Sequence, residues 1–191
     1  MRTFDLHVTL QDIDPPVWRL VRVPDTLTLA GLHATIQAAF GWQDCHLHSF
    51  ETERARYEPA AGRHHMDPAL PEEGTTLADL AHAGVREWDY LYDFGDDWLH
   101  TIRIEETHEA EESDQVVPLV LAGERACPPE DCGGPYGYEA LLETLADPEA
   151  EDHAESAAWA ATRPDRPFDP EAFDIAATNV WMLTAVDPHL R

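Results

Sequence analysis

Residues 87–105 constrain the fold more than any other stretch of this chain. Tyr90, Tyr92 and Phe94 recur at every second position, and beyond Gly95-Asp96-Asp97 so do Trp98, His100 and Ile102. A period of two belongs to a strand with one face turned to a core. The segment reads as a hairpin of strands over 87–93 and 98–105. A three-residue loop, Gly95-Asp96-Asp97, sets Phe94 opposite Trp98, Tyr92 opposite His100 and Tyr90 opposite Ile102. All six then share one face. A two-residue loop would pair aromatic positions with acids, so the three-residue loop is expected.

The rest of the chain supports the same architecture. Phe4, Leu6, Val8 and Leu10 alternate with polar residues over 3–10, and residues 17–23 read as the hairpin partner. Thr28 is placed to cap a helix reaching Phe40, with Gly41 just past its end. A third strand is expected over 46–53, a loop over 59–74 and a short helical turn over 76–81. Residues 106–115 read as an exposed, mobile connection, and 116–121 as a strand or a covered segment. Gly133-Gly134-Pro135 opens a helix, an Ala-rich helix follows over 151–161, and Asp169-Pro170 begins the last one. Its buried stripe is expected to be Phe173, Ala177, Val180 and Trp181. The fold class is α+β: an antiparallel sheet built from two hairpins plus one further strand, one packed helix and a C-terminal helical layer. One domain is expected over 1–191, sheet-rich in 1–125 and helical in 134–186.

Composition sets the outer bounds. The chain has 191 residues, 43% of them apolar, which suffices for a core without disulfides or metal. No apolar run is long enough to span a bilayer, and the first residues lack signal-peptide anatomy. With only three cysteines, the expected compartment is the cytoplasm, with no membrane association. Acids outnumber bases 38 to 12, every base is Arg, and the formal charge is -26. Such a charge favours solubility and strains the folded state by self-repulsion. The acids are spread along the chain rather than massed in a tail. That pattern suits high-salt adaptation and a GC-rich genome better than a surface made for a basic partner, the sharper reading. No direct nucleic-acid binding is expected, because the arginines are scattered and form no basic stripe.

Chemistry-bearing residues gather in three segments. His46 and His48 lie two apart on an expected strand, so both point to one face with Phe50 and could ligate a metal or exchange protons. His100 sits on the aromatic face, where burial favours the neutral ring. Asp93 and Asp96 bracket the turn of the second hairpin, where aspartates also satisfy backbone N–H groups. Cys127 and Cys132 flank Pro128-Pro129-Glu130-Asp131. Three readings of that pair stay open: small buried groups, a redox pair, or half of a zinc or other divalent metal site completed by His46, His48 or His100.

Four motifs in order carry a likeness to a known family. They are Pro15-Pro16-Val17-Trp18-Arg19, the stretch from Gly41 to Phe50, Tyr92-Asp93-Phe94-Gly95-Asp96, and Cys127 to Gly134. The chain resembles the plasmid pRiA4b ORF-3-like family from about Leu10 to the C-terminal helix. The resemblance implies kinship with mobile-element passenger proteins, some labelled resolvase-like. Ser49 lies near Arg54 and Arg56 but also near Glu51 and Glu53, which argues against a DNA-gripping resolvase. The expected function is a small binding or accessory module for a ligand or protein partner. Its pocket would be lined by His46, His48, Tyr92, Asp93, Asp96, Trp98, His100, Glu130 and Asp131. Alternatives are a metal-dependent hydrolase at the same pocket and an acidic adaptor for a basic protein.

Overall fold

The computed structural model describes residues 1–60, 69–111, 116–161 and 167–186. Its frame is one eight-stranded sheet. The strands are β1 (Arg2–Leu10), β2 (Trp18–Pro24), β3 (His48–Glu51), β4 (Arg56–Glu58), β5 (Leu70–Pro71), β6 (Glu87–Tyr92), β7 (Trp98–Glu109) and β8 (Leu119–Glu124). Their spatial order is β5-β4-β3-β6-β7-β1-β2-β8. Among the described residues the helices are α1 (Leu29–Phe40), α2 (Leu77–His82), α3 (Gly134–Ala146), α4 (His153–Ala160) and α5 (Ile175–Val186). The class is α+β. Both expected hairpins form, β1 with β2 and β6 with β7, and β3 joins β6. Antiparallel pairing of β1 with β7 fuses the hairpins into one sheet.

One face of that sheet is the core. Leu6, Val8, Tyr90, Tyr92, Trp98, His100 and Ile102 are all fully buried there, and each large apolar side chain so buried contributes about 1.5–3 kcal/mol. Helix α1 covers this face. Thr28 accepts from the Gly31 N–H at its start, and Gly41, at φ 91°, closes its end through Gln37 O. Phe40 meets His100 edge-on at 5.0 Å, and His33 approaches Tyr90 at 5.9 Å. Helix α5 packs beside α1 and against β8, where the Asn179 side chain donates to Val120 O and accepts from Val120 N. That amide clasps edge-strand backbone which would otherwise be open to pairing.

Several expectations are corrected. The second hairpin pairs Tyr92 with Trp98, Tyr90 with His100 and Trp88 with Ile102, around a five-residue loop of 93–97. The register differs by two from the expected one, so the aromatic face survives while Phe94 leaves it and is exposed. The loop closes by Asp97 N–H to Asp93 O at 2.7 Å, with both aspartates at φ 56°. Strand β5 and a 3-10 turn at Glu72–Gly74 occupy part of the expected 59–74 loop, whose residues 61–68 lie outside those described. Instead of ending at 105, β7 runs on to Glu109, held by β1; residues 112–115 of the expected connection are also outside those described. The last helix begins at Ile175 rather than Pro170, capped by Asp174, which accepts from Ala177 N. Among the described side chains its buried one is Met182, whereas Ala177, Val180 and Trp181 of the expected stripe are exposed.

Candidate functional site

Loop chemistry brings three distant segments together. Asp93 N–H donates to Leu47 O at 2.9 Å, tying the second hairpin to the approach to β3. Trp42 Nε1 donates to Pro128 O at 3.1 Å, and Gly133 N donates to Asp96 Oδ2 at 3.0 Å. The Tyr92 hydroxyl is the hub: it accepts from Cys45 N at 3.1 Å and donates to Glu130 Oε1 at 3.1 Å. Glu130 Oε1 also accepts from Gln43 N at 2.8 Å. Burial raises the Tyr92 pKa far above its usual value, so the hydroxyl stays a donor.

His46 lies just before β3, not within it. Its Nε2 is 3.1 Å from Asp131 Oδ1, 3.5 Å from Asp93 Oδ2 and 3.9 Å from Glu130 Oε2. None of these approaches has hydrogen-bond geometry, and the nitrogen itself is buried. Ligands about 2.1 Å from one ion at near-tetrahedral angles stand about 3.4 Å apart. Ligand atoms of His46, Asp93 and Asp131 all lie within 4.8 Å of one another, as do those of Cys45, His46 and Glu130. Asp44, Asp93 and Asp131 have φ of 54°, 56° and 58°. Aspartate is one of the few residues that tolerates this left-handed backbone, and such strain collects at functional sites.

The other expected site residues lie around this centre or apart from it. His48 is on β3 and turns to a second cluster: its Nε2 meets Glu72 Oε2 at 2.9 Å, and its ring stacks on His33 at 3.5 Å. His33 in turn contacts the Tyr90 hydroxyl at 2.8 Å and Asp44 Oδ1 at 2.9 Å. His46 and His48 thus serve different surroundings. Trp98 and His100 are fully buried below Trp42. Cys127 and Cys132 pack against the core edge as thiols, with burial raising both pKa values, that of Cys132 to about 12. Among the described residues, His48, His100, Cys127 and Cys132 do not join a three-ligand group. A third group, Asp5, Glu106 and His108, is already bridged by the Arg22 guanidinium at 2.6 Å from Asp5.

Sequence reasoning passed over His33, Gln37 and Asp44. His33 and Gln37 share the helical stripe of Leu29, Ile36 and Phe40, and a polar residue on a core stripe is a readable signal. Asp44 carries no such signal.

His100 yields a pH prediction. Burial lowers its pKa from 6.5 to about 3, against the opposing pull of the Tyr90 and Trp98 carbonyls. The unfolded chain therefore binds a proton that the folded chain refuses. The stability contribution is full above pH 6.5 and is lost as pH falls from there towards 3, on the order of 5 kcal/mol in all. Relieved carboxylate repulsion acts in the opposite direction, so the readout is the difference from His100→Gln. Urea melts across that range should show wild type losing ground to the variant as pH falls. A constant difference would mean His100 titrates normally.

The comparisons agree on kinship. The family model described as plasmid pRiA4b ORF-3-like protein matches residues 2–177. The chain belongs to the plasmid pRiA4b ORF-3-like family. Within the pRiA4b ORF-3-like relatives, the uncharacterized protein y4hQ of Sinorhizobium fredii (strain NBRC 101917 / NGR234) is 38% identical over 183 residues, covering 95% of this chain and 89% of its own. The crystal structure of MM3350 from Methanosarcina mazei Go1, described as a protein of unknown function, is similar at TM-score 0.80 and 35% identity, covering 92% of this chain and 97% of its own. No helix among the described residues is long and apolar enough to cross a membrane.

Proposed function

We propose that this pRiA4b ORF-3-like protein is a binding module whose pocket takes a divalent cation on His46, Asp93 and Asp131, with Glu130 as a fourth donor. One observation carries the reading. A buried imidazole nitrogen without a hydrogen bond has carboxylate oxygens from two other loops at 3.1, 3.5 and 3.9 Å. A mixed set of one imidazole and carboxylates suits zinc or manganese better than calcium.

Calorimetric titration of chelator-treated protein with Zn²⁺ and Mn²⁺ tests it. One equivalent should bind, and His46→Ala and Asp93→Asn should each weaken binding at least about tenfold. His48→Ala, outside the set, should not. Bound at a hundredfold excess over Kd, the ion should add about 2.7 kcal/mol to stability, and chelation should remove it. Equal affinity in wild type and His46→Ala would end the proposal.

The exposed side of Asp131 favours a second reading, a metal-dependent hydrolase, because an ion on three protein ligands keeps a position for water. Glu130 would then accept the proton from that water. Hydrolysis of activated esters or phosphates that needs the ion and falls in Glu130→Gln would select this reading over simple binding.

A further inference from the structure

Helix α5 carries no charged residue over Ile175–Val186, in a chain where 26% of residues are charged. It is nonetheless largely open to solvent: Val180 is 65% exposed, Trp181 56% and Leu183 49%. An apolar surface kept on a chain of charge -26 is not explained by solubility or by packing. Trp181 also lines a cleft of about 1130 Å³ that runs from the Glu130–Asp131 loop to α5. Trp42, Pro128, Phe173 and the half-exposed Trp159 form its apolar wall. The volume exceeds that of ordinary small-molecule pockets, about 300–1000 Å³, and suits a peptide segment.

Among the described residues, the exposed charge around this cleft is acidic. Asp131, Asp169 and Asp174 stand at its exposed margin, while Glu171 is engaged by Arg125. Among the described residues Arg19 is the single basic residue in the lining, and it is 2% exposed, covered by backbone carbonyls and the Phe173 ring. A second copy of this chain would bring like charges together at the margin, which disfavours self-association there.

We infer that the α5 cleft docks a basic, amphipathic segment of another protein, with an apolar side chain seated between Trp159 and Trp181 and Lys or Arg residues facing the acidic margin. The apolar wall supplies affinity and the acids supply orientation and association rate. The inference stands whether or not a cation binds at His46.

Fluorescence anisotropy with three labelled peptides tests it: a Leu/Lys amphipathic helix, its Leu/Glu counterpart, and a Ser/Lys peptide of the same positive charge. The Leu/Lys peptide should bind, at least about tenfold tighter than either of the others. Trp159→Ala with Trp181→Ala should weaken it by at least about tenfold, with the far-UV spectrum of the variant unchanged at the assay temperature. Equal binding of the Leu/Lys and Leu/Glu peptides would overturn the inference. So would indifference of the Leu/Lys peptide to the two substitutions. Sedimentation showing a wild-type dimer that Trp181→Ala dissociates would also overturn it, making a second copy the occupant.

Discussion

Replacing Arg19 by Lys is expected to destabilise the fold by roughly 3 kcal/mol, although the charge is kept. Arg19 lies 2% exposed on the inner face of β2, opposite Val8. Its Nε donates to Ala39 O at 3.0 Å, Nη1 to Trp18 O at 2.7 Å and Glu124 O at 2.8 Å, and Nη2 to Arg125 O at 2.9 Å. The guanidinium is flanked by Phe40 at 5.0 Å and Phe173 at 3.9 Å. No carboxylate pairs with it among the described residues. The negative end of the α1 dipole, through Ala39 O, and the other carbonyls hold the charge instead. Burial lowers its pKa to about 10, which still leaves it charged at neutral pH. An ammonium group has three donors at one point and cannot span this fork, so carbonyls at the end of α1 and of β8 would lose their partners. Urea unfolding measures the loss. A Lys variant within about 0.5 kcal/mol of wild type would show that the fork is not what ties α1, β2 and β8 together.

Gly134→Ala is expected to cost about 3 kcal/mol and to weaken the proposed cation binding with it. Gly134 has φ +70°, and a Cβ there would stand 2.4 Å from the backbone oxygen of Asp96. Neither backbone can yield without moving a loop. The Cys127–Gly134 segment would be pushed off the second hairpin, carrying Glu130 and Asp131 away from His46. Gly74→Ala, whose Cβ would meet nothing within 4 Å, is the control and should change little. Paired thermal melts and metal titrations of both variants check this. Normal cation affinity in a destabilised Gly134→Ala would separate the loop contact from the site.

The outcome at the second hairpin shows how far alternation can be read. Parity alone assigned Tyr90, Tyr92, Trp98, His100 and Ile102 to one face, and all are buried there. Parity cannot tell a three-residue loop from a five-residue one, because a shift of two preserves every face. The left-handed backbone of Asp93 and Asp97, allowed by short side chains that bond locally, decided the longer loop. The last helix failed for a related reason. Its apolar residues surround the helix rather than forming a stripe, so no periodicity singled out Met182 as the buried one.

Local chemistry in the chain by itself determined the α+β class, helix α1 with its Thr28 and Gly41 ends, both hairpins and the aromatic core face. Each of these follows from short-range periodicity, capping or turn propensity. Tertiary structure alone decided that His46 meets Asp93 and Asp131 while His48 meets Glu72 and His33. Two histidines two residues apart part company because β3 begins between them, and only long-range pairing with β6 sets where a strand begins. The same holds for Arg19 and for the open cleft beside α5. A buried cation needs carbonyls from β8 and α1, and a cleft exists only between packed elements, so neither leaves a local pattern to read.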